Sequence, residues 1–282
     1  MSLADHDALC IRHWDFSETS QTVSLFCREA GLVRAIAKGS RRERGSFGGG
    51  VDLLSRGIAG LSIRKGRDLS TFGRWQLTTT WPCLRTDLRR NQAAFLCADV
   101  IGRLVMPHDP HKAVFDGLVE ALDDWQGGGS IDATVARFLW CLLSHTGHGV
   151  RLPTPEQLCG ESEFLRFSPH DGGFTGGDTL GPTWPVRVDT ARALIALLAH
   201  GAEDETLAIL ESSCPGCTTR AARLLAAHVR EVVGQELPTL PALYPEIAGA
   251  QAMATIAGWP SPTAPPRSPT GFVSTPRSTP AP

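Results

Sequence analysis

Hydrophobic residues in the first eighty positions recur mainly with a period of two. Between Ala8 and Trp14, Leu9, Ile11 and His13 share one face and Cys10 and Arg12 the other, which predicts a strand. The polar run Asp15-Phe-Ser-Glu-Thr-Ser20 then predicts a turn. Thr22 to Cys27 and Leu32 to Ala37, rich in β-branched and apolar residues, flank the turn signal Glu29-Ala-Gly31 and predict a hairpin. Gly45-Ser-Phe-Gly-Gly-Gly50 is too flexible to be an element and leads to an alternating run, Val51 to Ile63, predicted as one long strand bent at Gly57 and Gly60. The last strand is expected over Leu69 to Thr80, with Leu69, Thr71, Trp75 and Leu77 on one face and Phe72, Arg74 and Gln76 on the other.

The period changes after Pro82. From Arg85 to Val105, Leu88, Ala93, Phe95, Leu96, Val100 and Leu104 recur at helical spacing, and Pro107 stops the run. A second helix is expected from His111 to Trp125, and a third, capped by Ser130 or Asp132, up to Gly147. Residues 149–187 are rich in Pro and Gly and read as loop. Asp189 to Ala199, Glu203 to Ser212 and Thr218 to Val233 predict three more helices. Beyond Gln235 prolines accumulate, and a Pro/Ser/Thr-rich segment with few apolar residues is expected to be disordered. The expected organisation is an all-β barrel over residues 1–81, an all-α domain over 82–234 with an inserted loop-rich finger at 149–187, and a disordered tail over 235–282. Five strands in about 75 residues suit an oligonucleotide-binding (OB) barrel, which binds across its second and third strands and the loops joining strands one to two and four to five.

Charge sharpens that expectation. The formal net charge is only −2, but residues 1–90 carry fifteen Lys and Arg against nine Asp and Glu, which leaves the remainder strongly acidic. The basic residues concentrate where the hairpin ends: Arg28, Arg34, Lys38, Arg41, Arg42 and Arg44 face only Glu29 and Glu43 in that stretch. Arg64, Lys65 and Arg67 form a second basic turn before the last strand, expected as the other wall of a groove. Clustered cations on one side of a domain are the electrostatic footprint of nucleic-acid binding, and a solvated strand end is the competing explanation. Trp14, Phe16, Phe47, Phe72 and Trp75 are candidates to stack on bases, although a small barrel also needs large side chains for its core. With 282 residues and 42% hydrophobic content the chain can bury a sizeable core in about two domains. No stretch approaches the roughly 18–20 apolar residues that cross a bilayer, no apolar run follows a basic start, and the eight cysteines lie mostly singly among apolar residues. A cytoplasmic, reducing location is expected.

Other chemistry finds little support in the sequence. Cys141, His145 and His148 lie within about two turns near a helix end, where the helix dipole favours histidine without any catalysis. His108-Asp-Pro-His111 reads as a helix-linking loop with Asp109 in the cap region, and no Gly-x-x-x-x-Gly-Lys-Ser/Thr loop occurs. The alternatives left open are a nucleic-acid mediator, an OB-fold single-strand adaptor for RNA or DNA without recombination activity, and a hydrolase using scattered His and Cys. No enzyme class is supported.

The chain resembles the bacterial recombination mediator family RecO. The matches are Cys10-Ile-Arg-His-Trp-Asp-Phe-Ser-Glu-Thr-Ser20, Ala35-Ile-Ala-Lys-Gly-Ser-Arg-Arg42, Gly66-Arg-Asp-Leu-Ser70, Leu84-Arg-Thr-Asp-Leu88, Arg137-Phe-Leu-Trp-Cys-Leu-Leu143 with Gly147-His-Gly149, and Phe167-Ser-Pro-His-Asp-Gly-Gly173. They cover about residues 8–233, and their order and spacing carry more weight than any one of them. The resemblance implies an OB domain that binds single- and double-stranded DNA, strand annealing, loading of the RecA recombinase, and two partners, RecR and the acidic C-terminal tail of single-stranded-DNA-binding protein. DNA contacts are then expected from Arg34, Lys38, Arg41, Arg42, Arg44, Arg64, Lys65 and Arg67, and a contact with that tail from Arg137, in an apolar groove with a basic rim. A monomer associated with the nucleoid is the matching expectation. Many members of the family carry a structural zinc module. Here Glu156 stands at its first position, Cys159-Gly160 remains, and Gly176-Gly-Asp178 falls where the second Cys pair would be, so no structural zinc is expected. Cys214-Pro-Gly-Cys217, joined by Cys159 and His170, could make up a four-ligand set; the competing explanation is a Pro-Gly turn between two ordinary thiols.

Overall fold

The alternating pattern forms five strands: β1 (Ala4–Ser17), β2 (Ser20–Cys27), β3 (Gly31–Ala37), β4 (Arg56–Ser62) and β5 (Ser70–Thr79). The computed structural model describes residues 3–42, 45–63, 68–179, 181–201 and 204–247. The strands close into a barrel in the order β1-β2-β3-β5-β4, with β3 and β5 parallel and the other pairs antiparallel. This is the OB-type barrel that the strand count suggests. The long β1 closes it, since its first half pairs with β4 and its second half with β2.

Small residues line much of the interior: Ala8, Ala35, Ala37 and Ala59 are fully buried. The room they leave is filled by Phe47, Phe72 and Trp75, whose rings meet edge-on at centroid distances of 4.9 and 5.9 Å. These three aromatics are core. The expected face pattern of β5 does not hold, because the register with β4 shifts between Gly60 and Leu61, where Gly73 is the extra residue of a bulge. A bulge turns the following side chains to the other face, so Phe72 and Trp75 both point inward while Leu69 and Leu77 are exposed. Ile11 is likewise extra in β1, which places Arg12 beside it on the outer side and not with Cys10. Nor is 51–63 one strand: β4 starts at Arg56, and the preceding turn is tied to β1 by Leu54 N–H to Cys10 O (2.7 Å) and Cys10 N–H to Ser55 O (3.0 Å).

Past Pro82 come α1 (Cys83–Thr86), α2 (Leu88–Leu104), α3 (Lys112–Gln126) and α4 (Ile131–His145). Asp87 caps α2 by accepting from the backbone of Arg89 and Arg90, and Ser130 caps α4 by accepting from Ala133 N–H. The N-cap of α3 is His111, without a side-chain cap bond, rather than Asp109. The segment expected to be loop holds α5 (Pro155–Leu158) and a small sheet, β7-β6-β8, made of β6 (Phe164–Ser168), β7 (Gly173–Thr175) and β8 (Trp184–Arg187). Its centre is Phe167, which stacks on Trp184 at 5.6 Å and meets His228 at 5.3 Å. Then follow α6 (Val188–His200), α7 (Asp204–Ser213) and α8 (Cys217–Val233), the last ending at Gly234 with φ of 63°. α4 is central, packed against α2, α3, α6 and α8. Among the described residues no helix is long and apolar enough to cross a membrane.

The expected boundary at residue 235 is corrected by the fold. α9 (Leu240–Leu243) and a 3-10 turn, Pro245–Ile247, pack back onto the helices, burying Leu237, Leu240, Leu243, Tyr244 and Ile247. Tyr244 Oη donates to Asp132 at 2.9 Å. Residues 248–282 lie outside the described residues.

The outer face of the barrel continues the helical core through Leu9, Ile11, Phe26, Leu32 and Leu54, with Phe26 against Phe115 at 5.7 Å. Charge pairs ring this contact. Arg28 makes a bidentate pair with Asp116 (2.7 Å for both bonds), Lys112 reaches Glu29 (2.6 Å), Arg12 pairs with Asp99, and Trp81 Nε1–H donates to Asp123 (2.7 Å). Gly31, at φ of 68°, lies so close to the backbone of Asp109 that a Cβ would overlap it, and His108 N–H bonds to Leu32 O.

Candidate nucleic-acid interface

The exit of β3 is held by buried polar groups. Ser40 Oγ donates to Gln21 Oε1 at 3.0 Å, and the same oxygen accepts Val51 N–H, so the turn after β3, the start of β2 and the loop before β4 share one anchor. Gly39 N–H adds a bond to Ser20 Oγ. Lys38, Arg41 and Arg42 therefore project from a fixed turn.

Strand register places the remaining groups. Partners directly opposite share a face, and residues two apart along a strand do so too. Arg12, Ser24 and Arg34 lie abreast on β1, β2 and β3, and Trp14, Thr22, Ile36 and Thr71 lie abreast on β1, β2, β3 and β5. Arg34 and Ile36 thus follow one another on the outer face of β3, and Lys38 comes just past its end.

Ion pairing separates these cations from the rest. Of the eight described Lys and Arg of the barrel, Arg12, Arg28, Arg41, Arg56 and Arg74 pair with Asp99, Asp116, Asp15, Asp7 and Asp5. Arg34, Lys38 and Arg42 are exposed and carry no ion pair with another described residue. The hydrogen bonds that Arg28 donates to Asp116 raise the Arg28 pKa further. The β1–β2 corner carries Asp15 near the end of β1, paired with Arg41, and Glu18 in the turn, with Trp14 and Phe16 of β1 exposed beside them. Arg44, Arg64, Lys65 and Arg67 lie outside the described residues, so the expected second wall is not among the groups the structure positions.

Arg137 stands exposed on α4 at the lip of a groove floored by Ala121, Phe138 and Leu198. The expected basic rim is not what surrounds it, for Asp116, Glu120 and Asp124 line the same groove. Arg220 and Arg223 are engaged within the helical domain, by Thr190 and by Glu246.

The other candidate constellations do not assemble. Among the described residues no three of His, Cys, Asp and Glu come together as a metal site, so Cys159, His170, Cys214 and Cys217 do not form the alternative cage. Cys214 instead donates to Asp189 at 2.8 Å and accepts from Arg220. Cys141 Sγ contacts Ala113 O, and burial pushes its thiol pKa up, which leaves it a poor nucleophile. A group that sequence reasoning missed is His228, buried between α8 and the small sheet with neither ring nitrogen hydrogen-bonded. Desolvation, and then His148, lowers its pKa to about 4. Its position on the apolar face of α8, beside Ala221, Leu224 and Leu225, was the available signal.

Comparison with known proteins gives one consistent answer. The family model described as Recombination protein O N terminal matches residues 1–81, and that described as Recombination protein O C terminal matches residues 85–179. The chain is 33% identical over 141 residues to the DNA repair protein RecO of Rhodopirellula baltica, a match spanning 50% of this chain and 52% of that protein. With the protein of the same name from Anaeromyxobacter dehalogenans strain 2CP-1 it shares 29% identity over 84% of this chain and 94% of the relative. With that of strain 2CP-C it shares 31% over 68% and 77%.

Proposed function

The chain belongs to the recombination protein O family, and from that premise we propose that it is a DNA-binding recombination mediator that anneals complementary single strands and helps to load the RecA recombinase. The observation that carries the reading is the set of exposed cations without an ion pair among the described residues, Arg34 on the outer face of β3 and Lys38 and Arg42 in the turn after it, on an OB-type barrel. A cation already neutralised by a carboxylate has little left to offer a phosphate; an unpaired one releases counterions when a phosphate replaces solvent. Arg41 joins them, since its pair with Asp15 is exposed and a phosphate can displace it at small cost. On the same reading Arg44, Arg64, Lys65 and Arg67 are further phosphate contacts. These residues contact phosphates and not base edges, so binding is independent of sequence.

On the same reading RecR and single-stranded-DNA-binding protein are the partners, and the work is done on the nucleoid in the cytoplasm. The acidic tail of single-stranded-DNA-binding protein meets Arg137, the cation lining the α3–α4 groove. The carboxylates there make this contact depend heavily on that one side chain.

The test is the variant Arg34→Ala/Lys38→Ala/Arg42→Ala. Three lost phosphate contacts flatten the slope of log affinity against log salt by about 2 on single strands and about 2.7 on duplex, and annealing of complementary strands slows. A folded variant that binds and anneals like the parent across a salt titration overturns the assignment. A parent protein that binds single strands without speeding duplex formation is an adaptor and not a mediator.

A further inference from the structure

The barrel face carries a second feature that charge does not explain. Among the described residues Trp14 and Phe16 are the exposed aromatics, at 45% and 64%, while Phe47, Phe72 and Trp75 are buried in the barrel. Leaving two large rings in water sacrifices burial that a small barrel needs. Their placement is specific. Trp14 shares its row with Thr22 and Ile36, two strands or about 10 Å from β3. Ile36 in turn follows Arg34 on the outer face of that strand, with Lys38 just past its end. Phe16 is the extra residue where the β1–β2 register shifts between Asp15 and Ser17, a bulge that re-aims its side chain.

We propose that Trp14 and Phe16 are stacking platforms for the bases of single-stranded DNA, and that they give the barrel face its distinction between single strands and duplex. The inference rests on the reading of that face as a DNA site. Electrostatics orients the strand. Phosphates are drawn to Arg34 on β3 and to Lys38 and Arg42 just past it, whereas beside Trp14 and Phe16 the described residues offer no unpaired cation: Glu18 stands at the turn and Asp15 already holds Arg41. A base carries no net charge and presents a π-face, so it can occupy the Trp14–Phe16 surface without needing a cation there. In a duplex the base faces are covered by their neighbours in the stack. Duplex therefore gains from the cations alone, whereas a single strand gains from cations and rings. Stacking also occupies the face of a base and leaves its Watson–Crick edge free, which is the arrangement a protein needs if a complementary strand is to pair with the one it holds.

The experiment compares oligo-dT and a blunt duplex of equal length on the full chain, by titration at several salt concentrations. Trp14→Ala is expected to weaken oligo-dT binding about 5- to 150-fold, the range for loss of one stacked base, with a similar further loss in Trp14→Ala/Phe16→Ala. Duplex affinity stays within about twofold, and the salt slope does not change because no phosphate contact is removed. Trp14→Phe keeps most of the binding. Trp14→Leu, which retains apolar bulk and guards against a folding defect, loses it. The inference is overturned if Trp14→Leu binds oligo-dT like the parent, or if it weakens single strand and duplex equally. Either result, alongside a clear effect of Arg34→Ala/Lys38→Ala/Arg42→Ala, leaves the charge-based reading standing and removes this one alone; a silent cation variant removes the reading beneath both.

Discussion

Replacing Tyr244 by Phe removes a single oxygen from the segment that returns onto the helices. That hydroxyl donates to Asp132 at 2.9 Å, with Tyr244 at 1% and Asp132 at 9% exposure. A buried hydrogen bond to a charged group contributes about 1.5–3 kcal/mol. Asp132 keeps Thr219 Oγ1 at 2.6 Å and Arg89 at 3.3 Å, so the carboxylate is not left bare, and the lower part of that range applies. For a chain of this size each kcal/mol lowers Tm by about 2–4 °C, so a loss of about 1.5–2 kcal/mol puts the expected fall at roughly 3–8 °C. The assay is thermal unfolding followed by circular dichroism, with Asp132→Asn and the double variant completing a cycle that isolates the pair. Ending the chain after Gln235 is expected to cost more. It also removes Leu237, Leu240, Leu243 and Ile247, and it strips Glu246 from the half-buried Arg223 and Ile247 O from Arg230. A chain ending after Ile247 keeps every one of these contacts and serves as the control. If Tyr244→Phe melts within about 1 °C of the parent and the chain ended at Gln235 is equally stable, the docking of this segment contributes nothing and the argument is wrong.

Three shorter predictions follow from other sites. His228 has a pKa of about 4 in the fold against an ordinary 6.5, so between those values the unfolded chain binds more protons, and stability is fully present above pH 6.5 and lost as pH falls toward 4. His228→Leu should remove that part of the acid sensitivity, on the order of 3 kcal/mol, and identical pH–stability curves for the two proteins would refute it. Gly31→Ala combines a left-handed backbone with an overlap on the Asp109 backbone, so a loss of at least about 1–2 kcal/mol is expected in denaturant unfolding; an unchanged midpoint would show that the hairpin tip can move away from the helical domain. With no assembled ligand set among the described residues, purified protein should hold less than one zinc per chain by elemental analysis and melt alike with and without chelator; a tightly held zinc lost in Cys214→Ser/Cys217→Ser would contradict this.

The hairpin of β2 and β3 was legible because its signals are local. Alternation gave the strands and Gly31 the turn, and the structure confirms both within a residue or two. The cap of α4, expected as Ser130 or Asp132 and found to be Ser130, was equally local. The bulges at Ile11 and Gly73 were not legible, since one inserted residue reverses the phase of all that follows and nothing in a single strand's pattern marks where the partner skips. The C-terminal segment was misread for another reason. Pro238, Pro241 and Pro245 look like a linker, yet Pro241 sits in the first turn of α9, where its missing N–H costs no bond. Leu237, Leu240, Leu243, Tyr244 and Ile247 recur every three or four residues, a helical signal that composition obscured. The small sheet at Phe164–Arg187 was hidden because its strands are short and separated by Pro- and Gly-rich turns.

For the candidate site, the sequence located the charge but could not say which charges were free. Counting Lys and Arg over the first ninety residues treats Arg12, Arg28 and Arg34 as equals. In the fold Arg12 and Arg28 face Asp99 and Asp116 across the barrel–helix contact, while Arg34, on the same outer face as Arg12 but two strands away on β3, is exposed and has no ion pair with another described residue. The acidic surplus of the helical domain thus has a role that its composition alone did not suggest: it neutralises the barrel cations beside the contact, Arg12 and Arg28, and leaves Arg34, Lys38 and Arg42 uncompensated. A phosphate responds to that difference, and not to the total. It follows that exchanging the members of the Arg28–Asp116 pair should be felt in the stability of the barrel–helix contact and leave the salt dependence of DNA binding unchanged, whereas removing any one of Arg34, Lys38 and Arg42 should do the reverse.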